Sequence, residues 1–114
     1  MIAKQFRVPR ERINYILRKG QQHFSKLFII RCAPNQAGFS RFRTIVSTKV
    51  HKSAVDRNKL RRQIYESLRL EITKKHSSAP LDTILIPKKA IKSATFEQII
   101  SDLNSIPWKN LPAS

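Results

Sequence analysis

The 114 residues suit one domain with a modest core, and 23 Lys and Arg against 7 Asp and Glu leave a formal net charge of +16. With 40% hydrophobic residues the chain can fold and carry that charge on its surface, which excludes a disordered basic tail. No apolar run reaches membrane-spanning length, the N-terminus lacks a signal-peptide core, and the lone Cys32 allows neither a disulfide frame nor a cysteine-based zinc site; a cytoplasmic protein with a polyanionic partner and no membrane is expected.

In chain order, Pro9 suits a helix start, Ile13, Ile16 and Leu17 recur at helical spacing, and Arg18, Lys19 and Gly20 read as a basic last turn and cap, so a helix is predicted over 10–19. The apolar, β-branched run 26-KLFIIRC-32 predicts a strand, 33-APNQAGFS-40 a turn, and the alternating 41-RFRTIVSTK-49 a second strand, in a hairpin with the first. A long helix is expected from near Ser53 to about Lys75, ending in 76-HSSAP-80, followed by a third strand, 81-LDTILIP-87. Thr95 and Gln98 form a capping box ahead of Ile99, Ile100, Leu103 and Ile106, predicting a last helix over 95–106 that Pro107 stops. The order α-β-β-α-β-α describes one α+β domain over 1–114, a two-layer sandwich with one small mixed sheet and three helices.

The long helix divides into two faces at 100° per residue. With Leu60 as origin, Ile64, Leu68 and Ile72 follow at about 40°, 80° and 120°, an apolar stripe that should pack on the sheet. Asn58, Arg61, Arg62, Tyr65 and Arg69 fall between about 100° and 200°, and Lys59 near 260°. Arg57, near 60°, lies beside the stripe and can reach past the helix end. The guanidinium fork matches phosphate geometry, so this second face predicts nucleic-acid binding. A basic face used by no ligand is the plain alternative, but a charge of +16 on one small domain repels itself unless something uses it.

The run 57-RN-58 followed by Arg61, Arg62 and Glu66, inside 47-STKVHKSAVDRNKLRRQIYESLR-69, resembles the signature of the bacterial ribonuclease P protein subunit. That family reads Arg-Asn, two variable residues, Lys-Arg, two variable residues, Arg-Glu, and its order of elements matches the one predicted here over nearly the whole chain. Arg61 stands where Lys is usual, Tyr65 where Arg is common, Thr48 for the first of two usual lysines, and His51 where Gly is frequent. The family's aromatic residues in the first helix and first strand correspond to Ile13, Leu17 and Arg31.

The resemblance implies an accessory subunit of the endoribonuclease that removes the 5′ leader of precursor tRNA. Hydrolysis falls to the RNA subunit with Mg2+, and the protein itself carries no cofactor, no metal and no catalytic residue. It further implies a monomer in the holoenzyme and a left-handed strand–helix–strand crossover. The ribonuclease P RNA would meet Arg57, Asn58, Lys59, Arg61 and Arg62, with Lys49, Lys52, Tyr65 and Arg69 extending that surface. The leader would lie in a cleft between the basic helix and an open sheet face. Read from the residues, a single strand wants a basic groove with stacking groups, and the strands offer Phe28, Arg31, Phe42, Arg43 and Ile45; Arg31 and Arg43, with Ile13 from the resemblance, are the leader-cleft candidates. Strand alternation puts Arg31 opposite in facing to Phe28 and Ile30, and Arg41 and Arg43 together on one face. Phe28 and Phe42 are expected in the core, while Phe24 and Trp108 fit either core or surface.

The acids Glu11, Asp56, Glu66, Glu71, Asp82, Glu97 and Asp102 are scattered and suggest no carboxylate pair, and His23, His51 and His76 lie far apart. Two other readings share the charge. A ribosomal or other structural RNA-binding protein would have no role in cleavage, and a stand-alone basic nuclease would cut RNA without an RNA partner.

Overall fold

The computed structural model describes residues 4–73 and 80–106. A single 3-10 turn at Lys4–Phe6 leads into α1 (Arg10–Lys19), β1 (Gln21–Phe24), β2 (Phe28–Pro34), β3 (Arg41–Thr44), α2 (Ala54–Thr73), β4 (Leu81–Pro87), a second 3-10 segment at Lys89–Ser93, and α3 (Phe96–Asn104). The predicted α+β class, three helices and small mixed sheet are all present.

The sheet order is β1-β2-β4-β3. β4 runs antiparallel to β2 and parallel to β3. The predicted hairpin between the strands now called β2 and β3 does not form, because β4 lies between them. The reason is burial: six of the seven β4 residues are buried, which suits only a central strand. The hairpin partner of β2 is β1, which lacks an apolar run because it is a four-residue edge strand with only His23 half-buried. The predicted helix end near Lys75, the segment 76–79, Pro107 and Trp108 lie outside the described residues.

The two faces of the sheet carry separate cores. On one, Phe28, Ile30, Cys32, Phe42 and Leu85 pack with Leu60, Ile64 and Leu68 of α2 and with Ile99 and Leu103 of α3. These include both phenylalanines expected in the core, and Leu60, Ile64 and Leu68 of the α2 stripe are buried as their periodicity requires; the side chain of Ile72 lies outside the described residues. On the other face α1 lies across the sheet through Val8, Ile16, Ala33 and Ile84, with Ile13, Leu17, Ile45 and Ile86 half-buried around them.

Helix ends follow local chemistry. Thr95 accepts from the Gln98 amide, and the Gln98 side chain accepts from the Thr95 amide, closing the predicted capping box. Gly20 caps α1, but not by a left-handed turn: its φ is −69°. A Cβ there would stand 2.5 Å from the Ile16 carbonyl oxygen and 2.9 Å from that of Cys32, so glycine is required by the close approach of α1 to β2.

Candidate nucleic-acid interface

β3 runs into the loop 45–53, which delivers Lys49 and Lys52 to solvent and then enters α2. Along α2, Asn58, Lys59 and Arg62 are exposed and Arg61 half-buried, flanking the buried Leu60 and Ile64. Arg61 Nη2 donates to Asn58 Oδ1, aligning the two side chains along the helix. Arg57 is half-buried, and its Nη1 donates to the carbonyls of His51 (2.9 Å) and Lys52 (2.8 Å). It therefore braces the loop that precedes the helix, fixing Lys52 beside the α2 face. The side chain of Arg69 lies outside the described residues.

Tyr65 departs from the expected surface. Its ring is buried at 5% exposure, and its hydroxyl accepts from the Thr44 amide at 3.1 Å. β3 pairs with β4 on one side only, so its outward amides need other acceptors, and Tyr65 supplies one. It offers no stacking group to a ligand; its position bordering the apolar stripe becomes a packing position once β3 is placed beside α2.

The groove expected between α2 and the sheet is filled by the core of Phe28, Phe42, Leu60, Ile64 and Leu85. Ile13, Arg31 and Arg43 come together instead on the opposite face, beneath and beside α1. In the register, Gln22, Arg31, Ile84 and Arg43 form one row across the four strands. Two residues further along, Phe24, Ile29 and Ile86 form the next row. Ile45, whose amide donates to the Leu85 carbonyl at 3.0 Å, continues it. Ile29, Ile45 and Ile86 are half-buried and Phe24 is 65% exposed, so this second row is the floor of an open apolar groove walled by Ile13 and Leu17 of α1.

Both arginines of the first row hold protein groups. Arg31 donates from Nη1 to Gln22 Oε1 (2.7 Å) and from Nη2 to the Leu17 carbonyl (2.6 Å), pinning the C-terminal end of α1, where the helix dipole favours a cation. Arg43 Nη1 donates to the Val8 carbonyl at 2.8 Å, tying the segment before α1 to β3. Each adds positive charge to the groove wall, Arg31 with both terminal nitrogens engaged and Arg43 with one.

The N-terminal end of α1 is held by a carboxylate missed as a partner group. Asp82, fully buried, accepts from Arg12 Nε (3.1 Å), Arg41 Nε (2.7 Å), Arg41 Nη2 (2.8 Å) and Asn35 Nδ2 (2.8 Å). Arg12 Nη2 also donates to the Pro34 carbonyl at 2.9 Å. The Asp82 hydrogen bond holds the Arg41 guanidinium still more firmly protonated than usual. The signal is a lone charge inside the otherwise uncharged, mostly apolar 81-LDTILIP-87. A second buried acid, Asp102 of α3, accepts from Ser25 Oγ (2.7 Å) and from the amides of Lys26 (3.1 Å) and Leu27 (3.0 Å), bracing the β1–β2 turn. Cys32 is buried, and burial raises its thiol pKa, which suits a core residue and not a nucleophile. Among the described residues no group of three His, Cys, Asp or Glu gathers to hold a metal, and no helix is long and apolar enough to cross a membrane.

The family model for ribonuclease P matches residues 4–110. The chain is 36% identical over 78 residues to the ribonuclease P protein component of Idiomarina loihiensis, covering 68% of this chain and 59% of that protein. It is 30% identical over 106 residues to the corresponding protein of Rickettsia canadensis, covering 89% and 90%. A Staphylococcus aureus RNase P protein mutant with defective mRNA degradation activity superposes with a TM-score of 0.77 at 27% identity, covering 89% of this chain and 84% of that one. The chain thus belongs to the ribonuclease P protein family.

Proposed function

We propose that this chain is the protein subunit of a bacterial ribonuclease P, binding the catalytic RNA and the 5′ leader of precursor tRNA. The observation that carries the reading is the two-sided α2, buried through Leu60, Ile64 and Leu68 and presenting Asn58, Lys59, Arg61 and Arg62 outward. With Lys49 and Lys52 beside it, this face fits the phosphate backbone of the ribonuclease P RNA. The groove floored by Ile29, Ile45 and Ile86 and walled by α1 is the place for the single-stranded leader, with Arg31 and Arg43 supplying charge from the adjacent row. α1 cannot drift, because Arg12 and Arg31 anchor its two ends. Hydrolysis then belongs to the RNA with its Mg2+, and the protein contributes by screening phosphate repulsion and holding the substrate in place.

The experiment mixes the protein with a bacterial ribonuclease P RNA and precursor tRNA at low magnesium. Stimulated cleavage at the mature 5′ end is the expected result. Binding without stimulation would favour a structural RNA-binding protein, and cleavage by the protein alone a nuclease; either refutes the reading.

A further inference from the structure

One exposed aromatic side chain in the proposed leader groove has no structural task that explains its position. Phe24 ends β1 with 65% of its surface exposed, directly across from Ile29 in the groove floor. It projects to the α1 side of the sheet, because residues paired across antiparallel strands share a face. The wall and floor beside it are aliphatic: Ile13, Leu17, Ile29, Ile45 and Ile86. Aliphatic side chains can exclude water from a nucleobase but give it no π-face to stack on.

The corner that carries Phe24 is rigid and basic. Asp102 holds the turn that follows it by accepting from Ser25, Lys26 and Leu27. The Lys88 amide donates to the Leu27 carbonyl at 2.8 Å, and Lys88 Nζ to the Ser25 carbonyl at 2.7 Å. The same ammonium lies 5.4 Å from the centre of the Phe24 ring. Lys26 and Lys89, both exposed, flank this point in sequence. An aromatic ring held beside ordered positive charge meets the two needs of an unpaired nucleotide, a surface for the base and a countercharge for its phosphate.

We propose that Phe24 is the base-stacking residue of this protein, seating one unpaired nucleotide of the leader at the β1 end of the groove with Lys88 at its phosphate. The assignment rests on the groove being the leader site. It makes stacking in this chain a property of the sheet edge, where the α1 wall has only Ile13 and Leu17 to offer.

The test reconstitutes the holoenzyme with a bacterial ribonuclease P RNA and measures its affinity for precursor tRNA with and without a leader. Phe24→Ala is expected to weaken the leader-bearing precursor about five- to a hundredfold, the span of one lost base–aromatic stack. Affinity for the leaderless precursor and for the RNA subunit should stay within about twofold of wild type, and the melting temperature should hold, because the ring is largely exposed. Phe24→Trp should restore binding, and Phe24→Leu, apolar but without a π-face, should not. The protein alone, titrated with a short unstructured RNA, should rank the four proteins in the same order. A wild type that does not distinguish leader-bearing from leaderless precursor counts against the leader groove, while the titration of the protein alone still reads Phe24. Phe24→Ala within about twofold of wild type in both assays, or Phe24→Leu equal to Phe24→Trp, overturns the assignment.

Discussion

Removing the Asp82 carboxylate tests how α1 is held. Asp82→Ala leaves the Arg12 and Arg41 guanidinium groups without their shared acceptor and Asn35 Nδ2 with the Phe39 carbonyl alone. Deleting one member of a buried ion pair costs about 3–5 kcal/mol, mostly because the other charge is stranded. Here the stranded side chains keep 30% and 17% of their exposure, so water recovers part of the loss and about 2–4 kcal/mol is expected. Against a total stability of about 5–15 kcal/mol that is a large fraction, and it corresponds to a fall of roughly 8–17 °C in melting temperature for a domain of this size. Thermal and urea unfolding measure it. Native-state hydrogen exchange locates it, since α1 amides should lose protection before those of α2, whose packing lies on the other face of the sheet. A loss under about 1 kcal/mol, or equal loosening of α1 and α2, would refute the view that this carboxylate anchors the α1 wall of the groove.

Other expectations follow from the same contacts. Arg61→Ala with Arg62→Ala should weaken RNA binding with little change in stability, as both lie off the buried stripe; if about six phosphates are met, wild-type log affinity should fall with log salt at a slope of about −4 to −5, and the double variant should show a shallower one. Tyr65→Phe should cost about 1–3 kcal/mol in urea unfolding by orphaning the buried Thr44 amide, while RNA affinity stays unchanged. Gly20→Ala should destabilise by about 1–3 kcal/mol, because its Cβ meets two backbone oxygens that can yield only if α1 and β2 part.

Much of the proposed interface was legible because it depends on local periodicity. The stripe of Leu60, Ile64 and Leu68 and the cationic flank of Arg61 and Arg62 follow from the rise and turn of one helix, which any sequence states in full. The pairing of Arg41 and Arg43 on one face follows equally from strand alternation. Alternation also groups Arg31 with the groove face, but it says which residues share a face and not which helix lies over it, so the expected wall is α2 where the structure has α1. The helical wheel puts Tyr65 on the surface because it shows angle around α2 but not the β3 edge that reaches the ring.

The sequence by itself determined the three helices, their apolar and cationic faces, the capping box at Thr95 and the family signature around Arg57 and Asn58. Each of these is encoded within a few turns of chain. The tertiary structure alone decided that β4 separates β2 from β3, that Arg31 and Arg43 brace α1 and the segment before it, and that Asp82 joins Arg12 and Arg41 from 70 and 41 residues away. Those outcomes depend on which strand can be buried on both faces and on where a desolvated charge finds its partners, and both are set by contacts between distant segments.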